Sequence, residues 1–216
     1  MDAEIFALLG QDGITNGAIY ALLALALVLV FAVTRIIFIP QGEFLAWGAL
    51  TMAALEAGHF PGTVWLLLGA GALTFAADLL GGAAARRQLG KSALWNLLYP
   101  AVLAGLLWVL PLQALPQVAK GLLVLGIVVP LGPMIYRVAF QPVAEAPVLV
   151  LLIVAVALHL LMVGIGLLIF GPEGSRTLPF SEAQFEIGSL VVGGHTLVVL
   201  AASVLLIVAL YLYFDR

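Results

Sequence analysis

Residues 147–170 read PVLVLLIVAVALHLLMVGIGLLIF, an apolar run interrupted only by His159. A helix of about 20 apolar residues crosses the hydrocarbon of a bilayer. The run is apolar on every face, whereas a surface helix of a water-soluble core shows a polar stripe. It is about twice the length of a membrane-barrel strand and does not alternate. It therefore reads as a transmembrane helix, and the rest of the chain repeats it. Comparable stretches run from Gly13 to Thr34, Ile36 to Ala57, Thr63 to Ala85, Ala93 to Leu112, Pro116 to Tyr136 and Ile187 to Phe214. The expected fold is an all-α, polytopic transmembrane helix bundle of about seven membrane segments, in one domain over residues 1–216.

Composition agrees. Of 216 residues, 64% are hydrophobic and 9% charged, and mean hydropathy is +1.24. A soluble domain carries about 25% charged residues. So few charges cannot cover a globule in water, which excludes an ordinary cytosolic enzyme, a nucleic-acid binder and a disordered regulator. The partner that the composition demands is a lipid bilayer. There is no cysteine, hence no disulfide, thiolate nucleophile or zinc–thiolate site. Phosphate-loop, HExxH and GxSxG motifs are missing and the ionisable residues are scattered. No enzymatic activity, cofactor or metal is expected. Asp2 and Glu4 make the N-terminus acidic, unlike the basic start of a secretory signal, so the first segment is expected to remain as an anchor.

Basic residues in short loops favour the cytoplasm. With the N-terminus outside and seven passes, Arg35, Arg86, Arg87, Lys91, Arg137 and Arg216 fall inside, and Lys120 and Arg176 outside. The long polar stretch from Gly171 to Glu186 then faces outward. It is either a solvated loop or a docking surface for an extracytoplasmic partner.

Polar groups inside apolar segments cost several kcal/mol unless partnered. Glu43 follows Pro40-Gln41-Gly42. Proline removes an amide donor and clashes with the preceding turn, so the second segment should be kinked or broken there. Two readings stay open: a broken helix lining a route, or a helix start with Glu43 paired to Arg35. Asp78 is expected to pair with Arg86 or with another helix. His159 and His195 could hydrogen-bond between helices. Asn16 and Tyr20, four residues apart, share a helix face. Gly17 with Ala21, Gly81 with Ala85 and Gly69 with Leu73 have the spacing of close helix packing. The candidate route residues are Asn16, Tyr20, Gln41, Gly42 and Glu43.

Residues 13–49 read GITNGAIYALLALALVLVFAVTRIIFIPQGEFLAWGA. This stretch resembles the opening of branched-chain amino-acid ABC transporter permeases of the leucine/isoleucine/valine uptake type. That family has G-x-x-x-G-x-x-Y-A-L-x-A-L-G-L followed by T-R-x-x-x-F-A-H-G-E-F. Matching positions are Gly13, Gly17, Tyr20, Ala21, Leu22, Ala24, Leu25, Thr34, Arg35, Gly42, Glu43, Phe44 and Gly48. Ile169-Phe170-Gly171-Pro172 is similar to a later phrase of the family. Pro40-Gln41 replaces the usual Ala-His, and Ala26 a usual glycine.

The resemblance implies a multi-pass permease subunit of an importer in the cell inner membrane, moving branched-chain or related amino acids. It also implies a second permease subunit, cytoplasmic ATPase subunits that hydrolyse ATP, and a periplasmic substrate-binding protein. The family's cytoplasmic coupling loop and later helices have no counterpart here, so a C-terminally truncated permease is expected. Two other classes stay open. One is a stand-alone proton-coupled secondary transporter using Glu43, Asp78 and His159. The other is a non-transporting membrane scaffold subunit.

Overall fold

A computed structural model describes residues 2–81, 89–181, 183–187 and 190–214. Among the described residues the main helices are, in order, α1 (Asp2–Thr34), α2 (Gln41–Glu56), α3 (Thr63–Leu80), α4 (Leu89–Val109), α5 (Gln117–Val143), α6 (Val148–Phe170) and α7 (Gly194–Phe214). All except α2 are long and apolar enough to cross a membrane. The chain is an all-α bundle of membrane-spanning type. It groups into two compact units, Thr34–Thr177 and Met1–Val33 with Leu178–Arg216.

Several boundaries depart from the sequence reading: α1 begins at Asp2 rather than Gly13 and α5 runs to Val143 rather than Tyr136, and two further changes alter the architecture. The seventh segment begins at Gly194 rather than Ile187. Ahead of it, β1 (Gln184–Ile187) and β2 (Leu190–Gly193) pair antiparallel, Gln184 opposite Gly193. A short apolar run rich in β-branched residues looks alike whether it is a strand or the start of a helix. The second segment is helical only from Gln41. Pro40 precedes its first turn, where a missing amide costs nothing because first-turn donors are unpaired anyway. Upstream, Arg35 adopts φ +60, a left-handed conformation uncommon for a residue with a β-carbon. The expected break is thus a helix start. The extended residues behind it are anchored by Ile36, buried with Phe140, Leu151 and Ala155.

Within the Thr34–Thr177 unit, short connections keep successive helices adjacent. At the end of α2, Gly58 takes φ +73, Gly58 N–H donates to Leu55 C=O at 3.1 Å and His59 N–H to Ala54 C=O at 2.8 Å. These two bonds close a Schellman motif, which needs a left-handed residue at that position. Two apolar clusters hold the bundle together. One is Trp47, Leu67, Leu131, Met134 and Met162; the other is Leu55, Val64, Leu107, Leu112 and Ile127. Between them the Thr51 and Thr63 hydroxyls share a 2.8 Å hydrogen bond.

Gly71 sets the approach of α3 to α4. A β-carbon there would collide with the Asn96 carbonyl oxygen, whereas one at Gly69 would meet nothing. Backbone cannot yield as a flexible side chain can. Gly71→Ala is therefore expected to destabilise the protein by about 1–3 kcal/mol, and Gly69→Ala to be nearly neutral. Melting of both variants in the same detergent checks this, and equal melting temperatures would contradict it.

Candidate functional site

Asp78, two residues before the end of α3, is 8% exposed. Its Oδ1 accepts from Arg137 Nε at 2.8 Å and Nη2 at 2.5 Å. Its Oδ2 accepts from the Ser92 hydroxyl at 2.5 Å, and Ser92 Oγ accepts from Asn96 Nδ2 at 3.0 Å. Four side chains from α3, α4 and α5 thus form one chain of charge-assisted and neutral hydrogen bonds. In a medium without water, such a chain is how a carboxylate keeps its charge.

Local irregularities put these groups in place. α4 has a π-helical turn at Leu94–Leu98, containing Asn96, and α5 has one at Tyr136–Phe140, containing Arg137. A π-turn inserts an extra residue and redirects the side chains around it, and such turns gather at functional sites. α5 also contains Pro130 and Pro133. Proline at 130 takes away the amide that would bond the Gly126 carbonyl, and the Tyr99 hydroxyl on α4 donates to that carbonyl at 2.8 Å instead. Thr74 reaches its own Ala70 carbonyl at 2.7 Å and the Met134 carbonyl on α5 at 3.5 Å. A cavity of about 330 Å³ opens beside the cluster, lined by Thr74, Asp78, Trp95, Asn96, Pro130, Pro133, Met134 and Arg137.

A second polar contact lies between α2 and α6. His159 Nδ1 is 2.8 Å from Glu43 Oε1. The two atoms are close without being in line, since Nδ1 and Glu43 Oε2 both lack an aligned hydrogen-bond partner. The Glu43 side chain is 14% exposed and His159 35%. Phe44 and Trp47 beside Glu43 form a tilted aromatic pair. Glu43 therefore turns toward α6 rather than outward.

The pairings sharpen the sequence reading. Asp78 pairs with another helix, one of its two expected partners, through Arg137; Arg86, the other, lies outside the described residues together with Arg87 and Ala85. Glu43 meets His159 and not Arg35. Arg137, expected just beyond the fifth segment, belongs to α5, as does Lys120. Lys120 is buried, with Nζ donating to the Gln113 carbonyl at 3.2 Å. Near it, Gln117 hydrogen-bonds Glu56. His195 opens α7 and stacks on Phe180, ring centroids 6.3 Å apart.

Of the candidate route residues, Gln41, Gly42 and Glu43 form the first turn of α2. Asn16 and Tyr20 are exposed on α1, in the other unit. Sequence reasoning missed Ser92, Asn96 and Arg137 as partners. A usable signal existed for Arg137: the apolar pattern Val138-Ala139-Phe140 resumes after it, so the charge sits within a segment rather than at its end. No protein-family model, curated protein or solved structure matches the chain.

Proposed function

We propose that the chain is a permease subunit of an ABC importer for branched-chain or related amino acids in the inner membrane. It would work with a second permease subunit, cytoplasmic ATPase subunits and a periplasmic binding protein. One observation carries the reading. Glu43, in the block that resembles the permease family, follows a non-helical entry and turns inward against His159. Inward-facing acids beside interrupted helices are the usual furniture of transport routes, because lipid offers them no partner. On this reading Gln41, Gly42 and Glu43 supply shape and polarity along the route, and ATP hydrolysis elsewhere supplies the energy.

The test is uptake of labelled leucine, isoleucine and valine by cells expressing the chain with its neighbouring genes. Uptake is expected to stop on ATP depletion and to survive a proton uncoupler. The opposite pattern would favour a stand-alone proton-coupled transporter. The 2.8 Å approach of His159 to Glu43 supports that second reading, but Asp78, engaged by Arg137 and Ser92, drops out of its relay.

The orientation belongs to the same proposal, with Lys91 inside and Ser175 outside. Single cysteines at these positions should label in intact cells at 175 and not at 91. Ready labelling of position 91 would reverse the topology.

A further inference from the structure

The Asp78–Arg137 cluster shares no residue with those assigned to the route and lies near one end of its helices. We propose that the cavity beside it binds a phosphate group, namely the anionic headgroup of a membrane phospholipid. Depth is the first argument. α5 has 27 residues, about 40 Å of helix against a hydrocarbon core of about 30 Å. Its ends therefore stand in the headgroup layers. Arg137 precedes the last residue of α5, Val143, by less than two turns. Asp78 is two residues from the end of α3, and Ser92 lies in the first turn of α4. All three lie within about 5 Å of the hydrocarbon edge, next to the headgroups rather than at the midplane.

Charge is the second argument. Both oxygens of Asp78 are occupied, and its side chain is 11% exposed while that of Arg137 is 33%. Both side chains line the cavity, and the cation is the more exposed of the two. A guanidinium carries five donors in a planar fork. Its Nε–Nη2 edge is spent on Asp78, which leaves the Nη1 edge for a second oxyanion. Lys91, one turn before Trp95 on α4, is exposed and has no ion pair among the described residues. Basic pockets between transmembrane helices take anionic headgroups for this reason.

Shape is the third. The exposed Trp95 indole lines the cavity mouth, and tryptophan favours the level where headgroups meet hydrocarbon. Pro130, Pro133 and Met134 form an apolar wall suited to the glycerol and first methylenes of a lipid. A free phosphate ion would share the polar half of this chemistry but not the apolar half.

Native mass spectrometry of the full chain in detergent tests the site, with dioleoyl phosphatidylglycerol, dioleoyl phosphatidylcholine and inorganic phosphate as probes. One phosphatidylglycerol should be retained about fivefold better than phosphatidylcholine, and Lys91→Gln should lower that retention by about fivefold. The double variant Asp78→Asn/Arg137→Gln removes both charges together, leaves no unpaired buried ion, and should abolish the preference. Lys91→Gln alters only an exposed side chain, so unchanged melting separates lost binding from lost fold. Equal retention of the two lipids without phosphate binding would overturn the proposal. So would a preference that survives both variants. Phosphate binding that the variants remove, with no lipid preference, would assign the same groups to a free oxyanion. None of these readouts involves uptake, so they stand or fall apart from the transport assignment.

Discussion

Arg137→Ala should lower the stability of the protein by about 3 kcal/mol, because it leaves the Asp78 carboxylate buried without its cation. Both guanidinium contacts go to one oxygen of Asp78, and only the Ser92 hydroxyl would remain. A neutral hydroxyl cannot replace a charge at 8% exposure. With domain stabilities of about 5–15 kcal/mol, a change of this size should lower the melting temperature by about 10 °C. The double variant Asp78→Asn/Arg137→Gln should recover most of the loss, since no ion is left to solvate and the amides can still hydrogen-bond. Ser92→Ala should cost less, about 1–2 kcal/mol, for one bond to a charged acceptor. If the single and double variants melt together, the ion pair is not what joins α3 to α5.

The same cluster marks the limit of what the sequence discloses. Length and hydropathy are local, so the apolar segments, the break at Pro40 and the all-α class could be read directly. Helix ends were harder. Leu190 to Gly193 are apolar enough for a helix yet pair as a strand with Gln184–Ile187, because four residues are too few for periodicity to separate the two. Partner choice was not legible. Asp78 lies 59 residues from Arg137 and 14 from Ser92, separations that carry no helical register. The nearer Arg86 was the natural guess from spacing alone. Arg137 also misled the charge count, since a basic residue near the end of a segment looks the same in a loop as in an interhelical pair. Setting aside both α5 cations, Arg137 and Lys120, leaves five inside against one outside on the seven-pass count, but only six of the described helices are long and apolar enough to cross, so that count no longer carries the orientation. Glu43 was legible as an anomaly but not as one half of a pair, because His159 comes from α6.

Glu43→Ala is expected to reduce uptake by a complete transport complex about tenfold, and Glu173→Ala less than twofold. Both remove one acidic charge, so the net charge of the chain changes equally. Their surroundings differ. Glu173 is exposed in the polar stretch after α6, where water solvates it and most substitutions are nearly neutral. Glu43 is mostly buried at the start of α2, with His159 Nδ1 2.8 Å away. Alanine there removes the only acid in the first turn of α2 and strips His159 of its partner. Interhelical polar contacts in membranes are worth about 0.6 kcal/mol on average and up to about 1.7, which changes a populated conformation by about threefold to about eighteenfold. His159→Ala should then produce a loss of similar size, and Glu43→Ala/His159→Ala should be little worse than either alone, as coupled neighbours are not additive. Melting of each variant separates a transport defect from a folding defect. Full uptake and unchanged melting in Glu43→Ala would reduce Glu43 to an interfacial residue and take away the main support for a route along α2. Additive losses in the double variant would instead mean that the two side chains act separately, whatever their distance.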